Sequence, residues 1–167
     1  MVTRLLIIII LLYPGAAVAG PLVNSGQGRV VEVVDGDTLF LDDGVQVRLV
    51  GIQAPKLPLG RRNFKTWPLA GEAKRALEAL SLGRVVKLSY GGRRTDRYGR
   101  ALAHLHRDDG VWIQQELLRL GMARVYSFRD NRAVVAELLA SERAARIDKV
   151  GIWGHGWFRI WQQEELH

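Results

Sequence analysis

Residues 28–52 read GRVVEVVDGDTLFLDDGVQVRLVGI, and this stretch decides the fold. Its β-branched and apolar residues alternate with polar ones on either side of two Asp/Gly clusters, Asp35-Gly36-Asp37 and Asp42-Asp43-Gly44. Period-2 alternation broken by Asp-Gly is the strongest short hairpin signal a sequence carries. Residues 28–34 and 38–52 are therefore expected to be strands, the second turning at 42–44. The same stretch poses a chemical question, because Asp35 and Asp37 flank one glycine and together make a pair that would suit a cation.

Working outward, residues 84–90 (RVVKLSY) and 99–107 (GRALAHLHR) repeat the strand pattern. Helical spacing appears at Ala73, Ala76, Leu77 and Leu80 ahead of Gly83, and at Ile113, Leu117 and Leu120 ahead of Gly121. A third helix is expected to start with Asn131 as N-cap and to run through Val134, Val135, Leu138, Leu139 and Ala145. Residues 54–70 form an irregular loop rich in Pro, Gly and cations. Hairpin-linked short strands with a helix after the third and helices at the end point to an α+β fold, a small five-stranded β-barrel of OB type with three helices.

Composition bounds the rest. The chain has 167 residues, of which 48% are hydrophobic and 25% charged, enough for one domain with its own core. Lysine and arginine number 24 against 17 acids, a net charge of +7 that favours polyanionic partners such as nucleic acid. There is no cysteine, which excludes disulfides and thiolate metal sites. Residues 1–19 have the pattern of a secretory signal peptide: Arg4, an apolar run from Leu5 to Tyr13, a Pro14-Gly15 break and Ala17-Val18-Ala19 before the cleavage point. The apolar run is shorter than the roughly 20 residues that span a bilayer, so no stable membrane insertion is expected once it is cleaved. The expected product is a secreted or periplasmic monomer, with a domain over residues 20–154 and an aromatic tail over 155–167 (Trp157, Phe158, Ile160, Trp161).

Four ordered motifs, VVDGDTLFLDDGVQVRLVGIQAPK, RRTDRYGRALAHLH, LLRLGMARVY and ERAARIDKVGIWG, resemble the staphylococcal nuclease (thermonuclease) family over residues 29–153. The resemblance implies an OB-fold barrel of five strands with three helices. It also implies a calcium-dependent, secreted phosphodiesterase acting on single-stranded DNA and RNA. By position it makes Asp37 a calcium ligand with Asp35 as a second carboxylate, and it makes Arg48 and Arg100 the pair that holds the scissile phosphate. Guanidinium forks suit that task, since they bind phosphate oxygens bidentately and stabilise charge developing on an in-line displacement. Arg97, Tyr98 and Tyr126 match substrate-side positions.

The family pattern breaks at residues 53–56. A second metal-ligating aspartate and a water-activating glutamate are expected there, and this chain has Gln53, Ala54, Pro55 and Lys56. The Gln53 amide oxygen and the Ala54 backbone carbonyl remain as weak oxygen ligands, so calcium affinity should fall. Two functions stay open. In the first, a nuclease hydrolyses single-stranded DNA or RNA, either with a replacement carboxylate from Glu72 or the Asp42-Asp43 turn, or with the Lys56 ammonium standing where the metal's charge would act. In the second, a catalytically degenerate OB-fold module binds nucleic acid or another polyanion through a basic groove and aromatic stacking. The loop segment RRNFKTW, residues 61–67, with its interleaved cations and aromatics, suits the same groove. His104 and His106 share one face of a strand with no third ligand near them in sequence; His155 and His167 are isolated.

Overall fold

A computed structural model of the chain describes residues 21–156; the segment read as a signal peptide and the aromatic cluster of the tail lie outside them. Among the described residues there are seven strands: β1 (Val23–Asp35), β2 (Thr38–Leu41), β3 (Gln46–Leu49), β4 (Gly51–Gln53), β5 (Val85–Tyr90), β6 (Ala101–Arg107) and β7 (Arg124–Tyr126). Three helices, α1 (Ala70–Ser81), α2 (Ile113–Arg119) and α3 (Val135–Ile147), and a 3-10 turn, Gly151–Trp153, complete the described chain. Five strands close a barrel in the order β1-β2-β3-β6-β5, while β4 and β7 form a separate two-stranded ribbon. All barrel neighbours are antiparallel except β3 and β6, which run parallel. The expected five-stranded barrel with three helices is therefore what forms.

Alternation places the side chains. Val47 and Leu49 on β3, Val86 and Leu88 on β5, and Ala101, Ala103 and Leu105 on β6 turn into the barrel core together with Val30, Leu39 and Leu41. Arg48, between two core residues, is thereby turned out of the barrel toward the site. Leu77 of α1, Ile113, Leu117 and Leu118 of α2, and Leu138 of α3 are fully buried and join the same core. Among the described residues, no helix is long and apolar enough to cross a membrane.

Three local expectations change. Residues 46–52 do not run as one strand: the chain breaks at Gly51, which adopts φ +86°, so that β4 leaves the barrel to pair with β7. A Cβ on Gly51 would lie 2.6 Å from Leu138 Cδ1, so packing as well as φ demands glycine there. Gly36 sits in the two-residue turn between β1 and β2, yet it is not left-handed. It is glycine because a Cβ would meet the Cβ atoms of Ala54 and Ala73 at 2.6 and 2.7 Å. Finally, α3 begins at Val135, not after Asn131. Asn131 is buried; its Nδ2 donates to the Arg93 carbonyl (3.2 Å), tying two loops together, and its Oδ1, the atom that would cap, meets no helix N–H.

His104 and His106 do share a face, and Trp112 fills it, with ring centroids 5.4 and 5.6 Å away. His104 is buried with no partner on Nδ1 among the described residues. Burial, helped by the neighbouring His106, pulls its pKa down from 6.5 to about 4. A group whose folded pKa is depressed in this way contributes stability above its unfolded value, and that stability is lost as pH falls toward the folded one. Stability is therefore expected to drop by something on the order of 3 kcal/mol between pH 6.5 and about 4, at ~1.4 kcal/mol per unit. Urea midpoints measured across that window should show the slope in the native chain and a flatter profile in His104→Phe.

Candidate functional site

The β1–β2 turn delivers Asp35 and Asp37 to the mouth of the barrel, and the register that pairs Thr38 with Arg48 sets the Arg48 guanidinium beside Asp37. Asp37 is completely buried. Its Oδ2 accepts the Ala54 backbone N–H at 2.7 Å, and its Oδ1 accepts the Thr38 hydroxyl at 3.3 Å. Lys56 then closes the group: its Nζ donates to both Asp37 oxygens, at 3.0 and 2.8 Å, and lies 4.0 Å from Asp35 Oδ2. The Arg48 Nη2 is 3.4 Å from the same Asp37 carboxylate.

These contacts explain the titration of the pair. Burial by itself would raise the Asp37 pKa, but the charges of Arg48 and Lys56 and the bonds from Lys56 and Ala54 outweigh it and hold the group down at about 2. Asp35 moves the other way. Burial and the neighbouring Asp37 charge raise it, only partly offset by Lys56. The cluster thus contains one firmly ionised carboxylate, matched by an ammonium.

Arg48 reaches further than Asp37. Its Nη2 donates to the Ile52 carbonyl (2.7 Å) and its Nη1 to the Leu49 carbonyl, so the guanidinium also pins the β3–β4 break. On its other side it lines a cleft of about 430 Å³ walled by Arg93, Arg97, Arg100, Tyr98, Tyr126 and Phe128, with Val50, Ile52 and Leu102 also lining it. Arg100 precedes β6 and lies two residues before Leu102, the register partner of Arg48, so the two arginines meet at one cleft. Asp96 holds Arg100 in place: it accepts from Arg100 Nε at 2.7 Å and from the backbone N–H groups of Tyr98 and Arg100. Tyr98, 67% exposed, lies under two guanidinium groups, Arg97 at 4.8 Å and Arg100 at 5.5 Å from its ring centre.

The residues singled out in the sequence thus fall into two connected sets. Asp35, Asp37, Lys56 and Ala54 form the buried cluster; Arg97, Tyr98, Arg100 and Tyr126 line the cleft; Arg48 belongs to both. Gln53 stands apart. Its Oε1 accepts from Nε and Nη2 of Arg124 on β7, at 3.1 and 2.8 Å, because β4 pairs with β7 and sets the two residues opposite each other. Ala54 presents its N–H, not a carbonyl, to Asp37. Glu72 pairs with Arg75 on α1 (3.2 Å), and the Asp42-Asp43 turn lies at the far end of β2, about 16 Å along the strand from Asp37. Arg61, Arg62 and Lys65 do not line the cleft.

Three contributors escaped the sequence reading, one of them Arg93, which lines the cleft. Phe128, 60% exposed, packs edge-on against Tyr126 with centroids 5.1 Å apart and adds a third aromatic to the cleft. Its signal was the alternation in RVYSF, which turns residues 126 and 128 the same way. Asp96 was hidden in DRYGR, and its role as a support for Arg100 depends on the closed turn in which the Asp96 N–H donates to the Arg100 carbonyl.

A calcium ion takes roughly six to eight oxygen ligands. The oxygens of Asp37 are spent on Lys56, Ala54, Thr38 and Arg48, the Gln53 oxygen on Arg124, and one Asp35 oxygen on the Asp37 N–H. Among the described residues no cluster of three or more His, Cys, Asp or Glu side chains is placed to hold a metal. As arranged, these donors do not fit calcium.

Comparison with known proteins gives the cleft its context. A protein of Escherichia coli O157:H7 named as an uncharacterized endonuclease is 36% identical over 130 residues, 76% of each chain. The thermonuclease of Staphylococcus hyicus is 29% identical over 140 residues, covering 79% of this chain and 78% of that one. Endonuclease YncB of Bacillus subtilis is 32% identical over 147 residues, 81% of this chain and 67% of its own. The model of the staphylococcal nuclease homologue family matches residues 46–155, from the start of β3 to beyond the 3-10 turn, and so takes in Arg48, Arg100 and three of the five barrel strands, β3, β5 and β6. With that match and the closed barrel that carries it, the chain belongs to the staphylococcal nuclease homologue family.

Proposed function

We propose that this protein binds single-stranded DNA or RNA in the arginine–tyrosine cleft and hydrolyses its phosphodiester bonds without calcium, with the Lys56 ammonium in the cation's place. The observation that carries the reading is the seat of Lys56 Nζ, within 3.0 Å of both oxygens of Asp37. Family membership supports the reaction class. The cleft supports the substrate: guanidinium groups suit phosphate oxygens, and exposed aromatic rings stack bases of any sequence. Arg48 and Arg100 would hold the phosphate, Lys56 would keep a fixed positive charge beside it, and Arg97, Tyr98 and Tyr126 would bind the flanking nucleotides. With residues 1–19 removed as a signal peptide, the protein would act outside the cytoplasm as a monomer.

A second reading, a binding module without chemistry, is favoured by one observation. The position where the family resemblance puts a water-activating glutamate holds a lysine committed to Asp37. Loss of a general base costs typically 10² to 10⁴ in rate. Labelled single-stranded DNA and RNA, incubated with calcium or with chelator, separate the readings, with Arg100→Ala purified identically as the control. Slow cleavage that persists in chelator and is lost in Lys56→Ala and Arg100→Ala is the expected result. Binding without cleavage would leave the second reading, and no binding would remove both.

A further inference from the structure

The loop between β4 and α1 contains the basic, aromatic segment that the cleft leaves out. From Gly44 to Gly71 the chain has five cations, Arg48, Lys56, Arg61, Arg62 and Lys65, and no acid. Three of the five are engaged internally: Arg48 and Lys56 on Asp37, and Arg61 on the carbonyls of Pro58 and Leu57 at 3.0 and 2.6 Å. Arg62 and Lys65 are exposed, with neither a hydrogen bond nor an ion pair among the described residues.

The loop that holds these two cations is built rather than loose. Its ends meet where the Trp67 N–H donates to the Lys56 carbonyl at 3.0 Å, the form of an Ω-loop. Arg61 lies 3.7 Å over the Phe64 ring, and Phe64 stacks on Trp67 at 6.2 Å with 28° between planes. Leu59 and Asn63 are left-handed, at φ 46° and 60°, conformations that persist only where surrounding contacts hold them. The stem of this loop is Lys56 itself, whose ammonium touches Asp37, and Asp37 touches the Arg48 that lines the cleft.

We infer that the Ω-loop of residues 57–66 is a second contact for the same nucleic-acid strand, in which Arg62 and Lys65 neutralise phosphates of nucleotides that run past the cleft. The inference rests on the nucleic-acid-binding reading above and extends it to a longer site. The partner is the sugar-phosphate backbone of a single strand. Two unneutralised cations on a fixed scaffold suit it, because a pre-folded loop gives up little ordering entropy on binding. The ionised carboxylate nearest the stem, Asp37, is already matched by Lys56 and Arg48 and so does little to oppose it.

The salt dependence of binding tests this. Binding of a trinucleotide and of a single strand of about 16 nucleotides, the upper end of site sizes for one OB fold, is measured by fluorescence anisotropy over a range of salt. The native chain is compared with Arg62→Gln/Lys65→Gln, and thermal unfolding checks that both are folded. For the long strand, the slope of log Kobs against log salt should fall by about 1.4 in the double variant, at roughly 0.7 per phosphate contact, while trinucleotide binding stays unchanged. Equal slopes for the long strand would overturn the second contact and leave the cleft reading intact. Loss of trinucleotide binding as well would place the two residues inside the cleft and overturn it too. If the native chain bound neither oligonucleotide, the cleft reading would fall, and this one with it. Retention on phosphatidylglycerol vesicles that disappears in the double variant, with the long-strand slopes equal, would assign the loop to a membrane surface instead.

Discussion

Asp37→Ala is expected to lower the stability of the folded protein by about 3 to 5 kcal/mol, the cost of removing one partner from a buried ion pair. The substitution deletes the acceptor for the Ala54 N–H and the Thr38 hydroxyl, and it takes away the counter-charge of Lys56 and Arg48, whose side chains are only 20% and 14% exposed. Asp35, 4.0 Å from Lys56, recovers only part of that loss. Urea denaturation at neutral pH reads the effect, with Glu72→Ala as the comparison. Its partner Arg75 is solvent-exposed, so that change should cost less than about 1 kcal/mol. Equal costs for the two would show that the buried cluster contributes no more than a surface pair.

The same cluster fixes a pH dependence. Asp37 is depressed, so its contribution is fully present above the ordinary carboxylate value of 3.8 and is lost as pH falls toward about 2. Asp35 is raised, so it opposes this, stabilising the fold as it takes up a proton. Asp37→Ala should therefore flatten the acid limb below pH 3.8; just above it the substitution also relaxes Asp35, whose pKa the Asp37 charge helps to raise, while the His104 contribution stays in place. Removing both partners together, in Asp37→Asn/Lys56→Met, should cost less than Asp37→Ala, because no uncompensated ammonium is left behind.

The second large effect is a gain. Gln53→Asp/Lys56→Glu changes the local charge by three units toward negative and adds two carboxylates to the Asp35–Asp37 pair. Without calcium this variant should be less stable than the native chain, since four carboxylates then crowd one partly buried site. With calcium its thermal midpoint should rise, by an amount equivalent to ~2.7 kcal/mol when the ion is present at about a hundred times its dissociation constant. Its calcium-dependent cleavage of single-stranded DNA should exceed that of the native chain by about 10² to 10⁴. The native midpoint should not respond to calcium. A variant that neither binds calcium nor gains activity would mean that Arg124, which holds residue 53 in the present structure, keeps the new carboxylate turned away as well.

Much of this architecture was legible in local pattern. The alternation of Val47 and Leu49 around Arg48 placed the arginine outside the core, and the spacings ahead of Gly83 and Gly121 gave α1 and α2 nearly whole. What stayed illegible depends on partners distant in sequence. Asn131 has the chemistry of a cap, and only the approach of the Arg93 loop gives its side chain another partner. Gly36 belongs to the Asp-Gly turn signal, but Ala54 and Ala73, from two other segments, are what exclude a Cβ there. Residues 124–126 are too short to declare themselves a strand without β4 beside them.

The functional residues divide in the same way. The sequence by itself determined the barrel, its family and, through the motifs that carry the resemblance, Arg48, Arg97, Arg100, Tyr98 and Tyr126 of the cleft, because period-2 alternation and motif order are written along the chain. It also has Gln53 and Lys56 at the two positions where the family resemblance leads one to expect acids. Only the tertiary structure decided what those replacements do. Nineteen residues separate Lys56 from Asp37 and seventy-one separate Gln53 from Arg124. Where each side chain points is set by the break at Gly51 and the pairing of β4 with β7, not by any local preference of lysine or glutamine. A buried carboxylate must find a counter-charge, and in this fold the nearest is the Lys56 ammonium, 2.8 Å from Asp37.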